Sequence, residues 1–243
     1  MARFLKHTSC PSCGSWDNLA LYDDGSEWCF GCHYYLPPKH VPISGVTKED
    51  NEDKPCLPLP DDTSTEFSDV AIQWVQQYGI TVEELFKHDV KFSAKYNQLI
   101  FTWYDDSNNL LAWQARNFGT GRRKYFTSGN INVLCPIFRF SDHLGASDST
   151  LTLVEDCLSA IKIARQSDCM PALGSGIGLP KLSRVAGLYS RLNVWLDSNM
   201  FQNSLEICSQ GTLVGLSCRP IYTDLDPKCY SDTEIEQILQ KST

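Results

Sequence analysis

The hydrophobic pattern in the second half of the chain predicts alternating strands and helices. Short apolar runs predict strands at 151–154, 169–173, 192–196 and 217–222. Longer amphipathic runs predict helices at 158–166, 179–189, 201–209 and 232–240. A β/α alternation of this kind predicts a mostly parallel sheet that is covered by helices.

The preceding segment has a different pattern. Ser68 stands before an apolar helical pattern that ends at Gly79, and Thr81 with Glu84 has the spacing of a capping box for a second helix. Strand-like runs follow at 98–104, 110–116 and 124–127, and a polar turn suited to a hairpin lies at 105–109. We expect an α+β subdomain here, and a mixed α/β class for the whole chain.

The stretch from residue 37 to residue 62 interrupts both patterns. It contains six prolines and six acidic residues and few residues that could form a core. Prolines at this density break helices and central strands, so a flexible linker is predicted. The resulting division is a ribbon at 1–36, the linker at 37–62, an α+β subdomain at 63–148 and the parallel β/α domain at 149–243.

Two CxxC pairs, separated by fifteen residues, dominate the ribbon. The pairs are Cys10 with Cys13 and Cys29 with Cys32. Each pair can place two thiolates on one ion, which predicts a closed structural zinc site of four sulfurs. Binding of the ion would stabilise a unit too small to bury a large core. His7 and His33 lie nearby, but four cysteines already fill a tetrahedron, so both are expected at the surface.

Composition limits the class of protein only broadly. The chain has 243 residues, 42% of them hydrophobic, a formal net charge of −8 and eleven cysteines. The charge argues against a non-specific basic binder of nucleic acid. The N-terminus lacks the apolar stretch of a secretory signal and no run reaches membrane-spanning length, which predicts a cytoplasmic protein with reduced thiols.

Acidic residues follow three of the four predicted strands. Glu155 and Asp156 come after the first, Asp197 comes after the third, and Asp224 and Asp226 follow the fourth. Ligand sites in open parallel sheets lie beyond the carboxyl ends of the strands, so these acids are expected in one crevice. Clustered carboxylates repel one another unless cations are bound, which favours Mg²⁺ or Mn²⁺. Each acid alone is an ordinary loop residue.

Positive charge is concentrated in one segment. No Asp or Glu occurs between Asp106 and Asp142, and the basic residues in that interval are Arg116, Arg122, Arg123, Lys124 and Arg139. A local electropositive surface of this kind suits triphosphates or a nucleic-acid backbone. A solvated hairpin tip is the alternative for Arg122 and Arg123.

Three motifs together resemble a TOPRIM domain. They are Leu-Val-Glu-Asp-Cys-Leu-Ser-Ala at 153–160, Val-Trp-Leu-Asp-Ser-Asn at 194–199 and Asp-Leu-Asp-Pro-Lys at 224–228. With a four-cysteine ribbon in front, this order resembles bacterial-type DNA primases, and above all the primase half of phage primase–helicases. The segments 74–101 and 116–129 also resemble the subdomain that precedes TOPRIM in those primases.

The resemblance implies a role for each matching position. Glu155 corresponds to the invariant TOPRIM glutamate, Asp197 to the first acid of the Asp-x-Asp motif and Asp226 to the acid of the later Asp-Pro element. It implies Glu155, Asp197 and Asn199 as catalytic residues, with Asp226 as a further magnesium ligand. Arg116 and Lys124 lie where the family places basic residues that face the nucleotide or the template, and Arg122, from the same basic segment, is predicted to bind with them.

The sequence departs from the family pattern at four positions. Cys157 follows Glu155-Asp156, where the family often has glycine directly after the glutamate, and Ser159 stands where many members have aspartate. Asn199 replaces the second Asp-x-Asp acid, and Lys228 replaces an acid often found after Asp-Pro. Fewer carboxylates imply a weaker or differently distributed metal site.

The resemblance implies a DNA primase that makes short RNA primers on single-stranded DNA from ribonucleoside triphosphates. No phosphate-binding loop occurs in the sequence, so the replicative helicase is expected to be a separate partner. A DNA polymerase is expected as a second partner. If a phage encodes the chain, the protein would act in the cytoplasm of a bacterial host. Two alternatives stay open: a TOPRIM nuclease using the same carboxylates, and a catalytically silent template-binding protein.

Overall fold

The computed structural model describes residues 3–23, 25–32, 34–36, 55–119, 123–131, 134–140, 150–174 and 177–241. The chain forms two compact units, Met1–Glu52 and Asp53–Thr243. No described helix is both long enough and apolar enough to cross a membrane.

The first unit is a small antiparallel sheet. Its strands are β1 (Phe4–Thr8), β2 (Leu19–Tyr22), β3 (Glu27–Cys29) and β4 (Tyr35–Leu36), and they pair in chain order. Among the residues that the structure describes, the hydrophobic cluster of this unit has three buried members, Cys10, Leu19 and Cys29. So small a core stabilises little by itself, as expected of a unit that depends on a bound ion.

The second unit begins with an antiparallel sheet and two helices. The strands are β5 (Thr63–Ser64), β6 (Lys91–Ser93), β7 (Gln98–Tyr104), β8 (Leu110–Asn117) and β9 (Tyr125–Gly129), in the order β5-β6-β7-β8-β9. The helices are α1 (Asp69–Gln76) and α2 (Val82–Lys87). Both predicted caps are confirmed: the Ser68 side chain accepts a hydrogen bond from the Ala71 N–H, and Thr81 with Glu84 forms a capping box.

Part of the predicted linker is packed. Trp113 donates its indole N–H to the Leu57 carbonyl at 2.8 Å, and the Leu57 N–H donates to Ser128 at 2.7 Å. Cys56 and Leu59 pack against a cluster around Trp113. Residues 55–62 therefore lie along the antiparallel sheet, contrary to the flexibility expected of them, and residues 37–54 lie outside the described residues.

A parallel sheet completes the second unit. Its strands are β10 (Thr150–Val154), β11 (Cys169–Pro171), β12 (Arg191–Val194) and β13 (Ser217–Pro220), in the order β11-β10-β12-β13. Its helices are α3 (Cys157–Ile163), α4 (Leu179–Ala186), α5 (Phe201–Leu213) and α6 (Asp232–Gln240). The predicted β/α alternation is confirmed, and the helix and strand ends differ by a few residues.

The two sheets of the second unit share a hydrophobic core. Its buried residues come from α1, α2, β6 and β7 on one side and from β10, α3, β11 and α6 on the other, together with residues between these elements. At the edge of this core Arg165 donates to Glu84 at 2.6 Å, to Asp232 at 2.8 Å and to the Gly79 carbonyl at 2.8 Å. These contacts hold α2 and α6 against the C-terminal end of α3.

Candidate active site and zinc centre

The four cysteines of the first unit form one cluster. Their sulfur atoms all lie within 4.8 Å of one another, with Cys10 and Cys32 3.7 Å apart and Cys13 and Cys29 3.8 Å apart. A tetrahedral zinc ion with sulfurs at about 2.3 Å requires sulfur–sulfur distances of about 3.8 Å. The cluster therefore fits a structural zinc ion in which protein ligands fill every coordination position.

The thiols of this cluster need a cation to ionise together. Burial opposes ionisation of Cys29, but backbone N–H groups of Cys32 and Gly31 lower its pKa to about 6. A backbone hydrogen bond from Tyr34 favours the Cys32 thiolate, yet burial and the neighbouring sulfurs raise the pKa of Cys32 to about 11. Without a cation, the Cys29 thiol therefore ionises more easily than the Cys32 thiol, and a bound ion would be needed for both to be thiolates together.

Residues around the cluster have other roles. His7 is not part of it, because its Nδ1 bonds to the Asp17 carbonyl at 2.7 Å and its ring stacks on Phe30. His33 lies outside the described residues. Several aromatic residues lie on the surface of the unit, among them Trp16, which is 89% exposed, and Tyr35, which is 55% exposed.

The strand-end acids of the second unit come together as predicted. Glu155 and Asp156 directly follow β10, Asp197 follows β12 after two buried residues, and Asp226 lies beyond β13. Asp156 also caps α3, since one of its oxygens accepts the Ser159 N–H at 2.9 Å. The topology brings them together because β10 and β12 are parallel neighbours and β13 is next in order.

Glu155 and Asp197 form the part of this cluster that fits a cation. Burial and then the neighbouring Asp156 raise the pKa of Glu155. Burial and the Glu155 carboxylate raise the pKa of Asp197 to about 7. One oxygen of Asp197 is buried and makes no hydrogen bond. Two half-buried acids that repel each other, with an oxygen left unsatisfied, are suited to a hard divalent ion.

Asp156 and Asp226 are neutralised by a lysine instead. The Lys228 ammonium lies 2.7 Å from an oxygen of Asp156 and 3.0 Å from an oxygen of Asp226. Burial alone would lower the pKa of Lys228, but the two carboxylates outweigh it and raise that pKa above its usual range. The implied role of Asp226 as a magnesium ligand therefore competes with an ion pair.

Asn199 is more exposed than these acids. It lies exposed in the 3₁₀ turn Ser198–Met200, two residues after Asp197. Across the described residues, the Cys₄ group is the one set of three or more metal-binding side chains whose ligand atoms come within 4.8 Å. A ligand set of Glu155, Asp197 and Asn199 stays a prediction.

Arg116 lies on β8 in a cage of aromatic rings. Its guanidinium carbon is 5.2 Å from the centre of the Trp74 ring, 5.5 Å from that of Tyr125 and 5.8 Å from that of Phe118. Its Nε is buried and makes no hydrogen bond, and no described carboxylate pairs with it. The rings hold the guanidinium in place by cation–π attraction while its charge stays uncompensated, which suits an anionic ligand.

The other basic residues named from the sequence are less fixed. Lys124 is exposed, with its ammonium 5.7 Å from the centre of the Tyr125 ring. Arg122 lies outside the described residues. Sequence reasoning missed the contribution of Trp74 and Tyr125 to the cage, and it missed the position of Lys228 between two acids. The replacement of an acid by Lys228 was the signal for the second of these.

The arrangement of these elements is that of a known class. No family model matches the chain. The fold is similar to the folds of solved DNA primases. It is similar to the primase fragment of the bacteriophage T7 primase-helicase protein, at 13% identity and a TM-score of 0.53, over 98% of this chain and 99% of that one.

Bacterial primases share the fold. The zinc-binding and RNA polymerase domains of the Aquifex aeolicus primase match at 11% identity and a TM-score of 0.58, over 99% of this chain and 81% of that one. The Escherichia coli primase catalytic core matches at 11% identity and a TM-score of 0.55, over 70% of each chain.

Sequence similarity is local. A DNA helicase/primase of Enterobacteria phage T3 is 50% identical over 34 residues, which are 14% of this chain and 6% of that protein. The match thus spans a small part of its length.

Proposed function

We propose that this chain is a DNA primase that synthesises short RNA primers on single-stranded DNA. The observation that supports the proposal is the placement of Glu155 and Asp197 together at the carboxyl edge of a TOPRIM-like sheet, where one Asp197 oxygen is unsatisfied and the pKa of each acid is raised by burial, as suits a cation site. The uncompensated Arg116 cage on the neighbouring sheet provides the complementary charge. Together they suit the transfer of a phosphorylated substrate.

Glu155 and Asp197 would hold Mg²⁺ or Mn²⁺, with Asn199 able to offer a carbonyl oxygen. The bound ion supplies electrostatic stabilisation of charge that develops on the phosphate oxygens and on the attacking oxygen. In the reaction, the 3′-hydroxyl oxygen of one ribonucleotide bonds to the α-phosphorus of the next. The bond to pyrophosphate breaks, and the hydroxyl proton is lost.

Arg116 would bind the triphosphate or the template phosphate. The aromatic cage fixes the guanidinium before the ligand arrives, so little side-chain entropy is lost on binding. Lys124, which is exposed, would add a second positive charge, and Arg122 is proposed for the same role on the grounds of the sequence alone.

The zinc unit would contact single-stranded template. Trp16 and Tyr35 expose aromatic faces on which bases can stack. The first four strands and the bound zinc would keep those rings in place. We further propose a separate replicative helicase and DNA polymerase as partners, and action in the cytoplasm of a bacterial host.

Primer synthesis on single-stranded DNA tests the proposal. The zinc-loaded full chain is incubated with templates of mixed sequence, labelled ribonucleotides and Mg²⁺ or Mn²⁺, and the products are separated on a gel. We expect short RNA products that fall at least about 100-fold in Glu155→Gln. The matched control is Glu206→Gln, an exposed carboxylate on α5, which should retain full activity.

Other products would identify a different protein. Shortened DNA without RNA synthesis would indicate a nuclease that uses the same carboxylates. Template binding without any product, unchanged by Glu155→Gln, would indicate a silent binding protein. Either result would overturn the proposal.

A further inference from the structure

Lys228 is held inside the acidic cluster. The residue is 9% exposed, and its ammonium bonds to both Asp156 and Asp226 at 2.7 and 3.0 Å. Glu155 and Asp197 are close enough for the charge of Lys228 to lower their pKa values, although burial and the other acids outweigh this effect. The Lys228 ammonium thus bonds to two carboxylates and acts electrostatically on two others.

The position of this lysine is fixed by its surroundings. It lies in the 3₁₀ turn Pro227–Cys229, and its own carbonyl accepts a hydrogen bond from the buried Lys162 at 3.1 Å. Lys162 also donates to the Tyr78 carbonyl at 2.6 Å, and the Tyr78 ring centre lies 5.7 Å from the Lys228 ammonium. A lysine anchored through both its backbone and its charge stays between the two acids.

We propose that Lys228 takes the place of a second divalent cation, so that this site binds a single divalent ion, on Glu155 and Asp197. A divalent ion on Asp156 and Asp226 would have to displace the ammonium from both oxygens. That would leave a buried lysine unpaired beside a second positive ion, which is strongly unfavourable. The proposal deepens the proposed function, because it concerns the metal that the primase reaction uses.

The charge of the site supports a single ion. When the four carboxylates are ionised, as they are when they bind a cation, their charge and that of the Lys228 ammonium sum to minus three, which one divalent ion reduces to minus one. If an aspartate stood at position 228, the charge would be minus five, and two divalent ions would be needed to reach the same value. The site therefore reaches the same net charge with the lysine and one divalent ion as it would with an aspartate and two divalent ions.

Counting Mn²⁺ ions tests the proposal without any need for activity. The zinc-loaded full chain is titrated with Mn²⁺, and free Mn²⁺ is measured by electron paramagnetic resonance. We expect one ion per wild-type chain, none in Glu155→Gln, and two in both Lys228→Met and Lys228→Asp, with the second ion at least tenfold tighter in Lys228→Asp. The matched control is Lys181→Met, a buried lysine on α4 that donates to the Ile131 carbonyl and makes no contact with the acidic cluster among the described residues, and this variant should still bind one ion.

Two results would overturn the proposal. One is a second Mn²⁺ on the wild-type chain, and the other is a single ion on both Lys228 variants when zinc content and circular dichroism match the wild type. If neither Lys228 variant folds, Asp226→Asn decides: one ion bound with less than threefold change in affinity supports the proposal, and loss of the ion refutes it.

Failure of the inference is distinguishable from failure of the proposed function. A chain that makes RNA primers and binds two Mn²⁺ ions would keep the function and lose the inference. A chain that makes no RNA but binds one ion, and two after Lys228→Asp, would lose the function and keep the inference.

Discussion

The Arg116 guanidinium lies over the ring of Trp74, at 5.2 Å from its centre, and thereby links the antiparallel sheet to α1. Trp74 in turn packs edge-on against Phe118, 5.4 Å away. The arginine is therefore positioned by aromatic contacts rather than by an acid, and its charge is available to a ligand.

Arg116→Lys should weaken nucleotide binding although the charge is kept. Lysine lacks the planar guanidinium that stacks on the rings and donates two parallel hydrogen bonds to a phosphate. We therefore expect the affinity for a ribonucleoside triphosphate to fall about 10-fold or more. Isothermal titration calorimetry of the full chain with ATP measures the change. Arg184→Lys, an exposed arginine on α4, is the control, and equal affinities for the two variants would contradict this role of the cage.

Cys29→Ser should remove zinc from the first unit and leave the second unit folded. The first unit has a very small core, so loss of a buried ligand should unfold it, whereas the second unit keeps its own two sheets. Zinc content per chain is measured by atomic emission, and unfolding by circular dichroism. We expect loss of zinc with no change in the main unfolding transition. Cys56→Ser, outside the cluster, should retain the metal.

Arg165→Met should destabilise the second unit by about 2 to 4 kcal/mol. The change removes hydrogen bonds to Glu84, Asp232 and the Gly79 carbonyl, and it leaves the partly buried Glu84 without its partner. Urea unfolding measures the free energy. Arg139→Met, which breaks an ion pair whose arginine side chain is 51% exposed, should cost less than about 1 kcal/mol. Similar costs for the two variants would contradict the prediction.

Lys181→Met should stabilise the protein at neutral pH. Burial lowers the pKa of Lys181 from its ordinary 10.5 to about 8. At pH 7 the folded state therefore contains a buried charge that the unfolded chain leaves in water, and this penalty disappears as pH rises from about 8 to above 10.5. Replacement by methionine should raise the free energy of unfolding by at most about 3 kcal/mol at pH 7.

The same variant should have no advantage above pH 10.5, where Lys181 is neutral in both the folded and unfolded states. Urea unfolding at pH 7, 9 and 10.5 follows the trend. A constant difference between the two proteins at all three values would show that packing, and not charge, causes the change.

Sequence patterns predicted the fold closely where local signals are strong. The caps at Ser68 and Thr81 are local hydrogen bonds between residues three apart, so sequence spacing alone identifies them. The meeting of Glu155 with Asp197 follows from the topology of parallel strands, which the β/α alternation predicts.

Local sequence patterns do not predict contacts between residues that are far apart in the chain. The contact of Leu57 with Trp113 joins residues 56 positions apart, and prolines around Leu57 are equally typical of a linker. Likewise, Lys228 meets Asp156 across 72 positions, and a lysine in a loop is normally solvated. Such pairs depend on how the two sheets of the second unit pack, which periodicity does not encode.

Asp156 divides its two carboxylate oxygens between a helix and a lysine, since one accepts the Ser159 N–H and the other pairs with Lys228. A substitution there perturbs helix initiation and also removes one of the two carboxylate partners of a buried ammonium. In a mutational scan, position 156 will therefore score as intolerant even if its side chain never touches substrate or metal. Loss of activity after a substitution at Asp156 would thus reflect damage to the structure of the site, whereas loss after a substitution at its neighbour Glu155 would reflect loss of the proposed metal ligand.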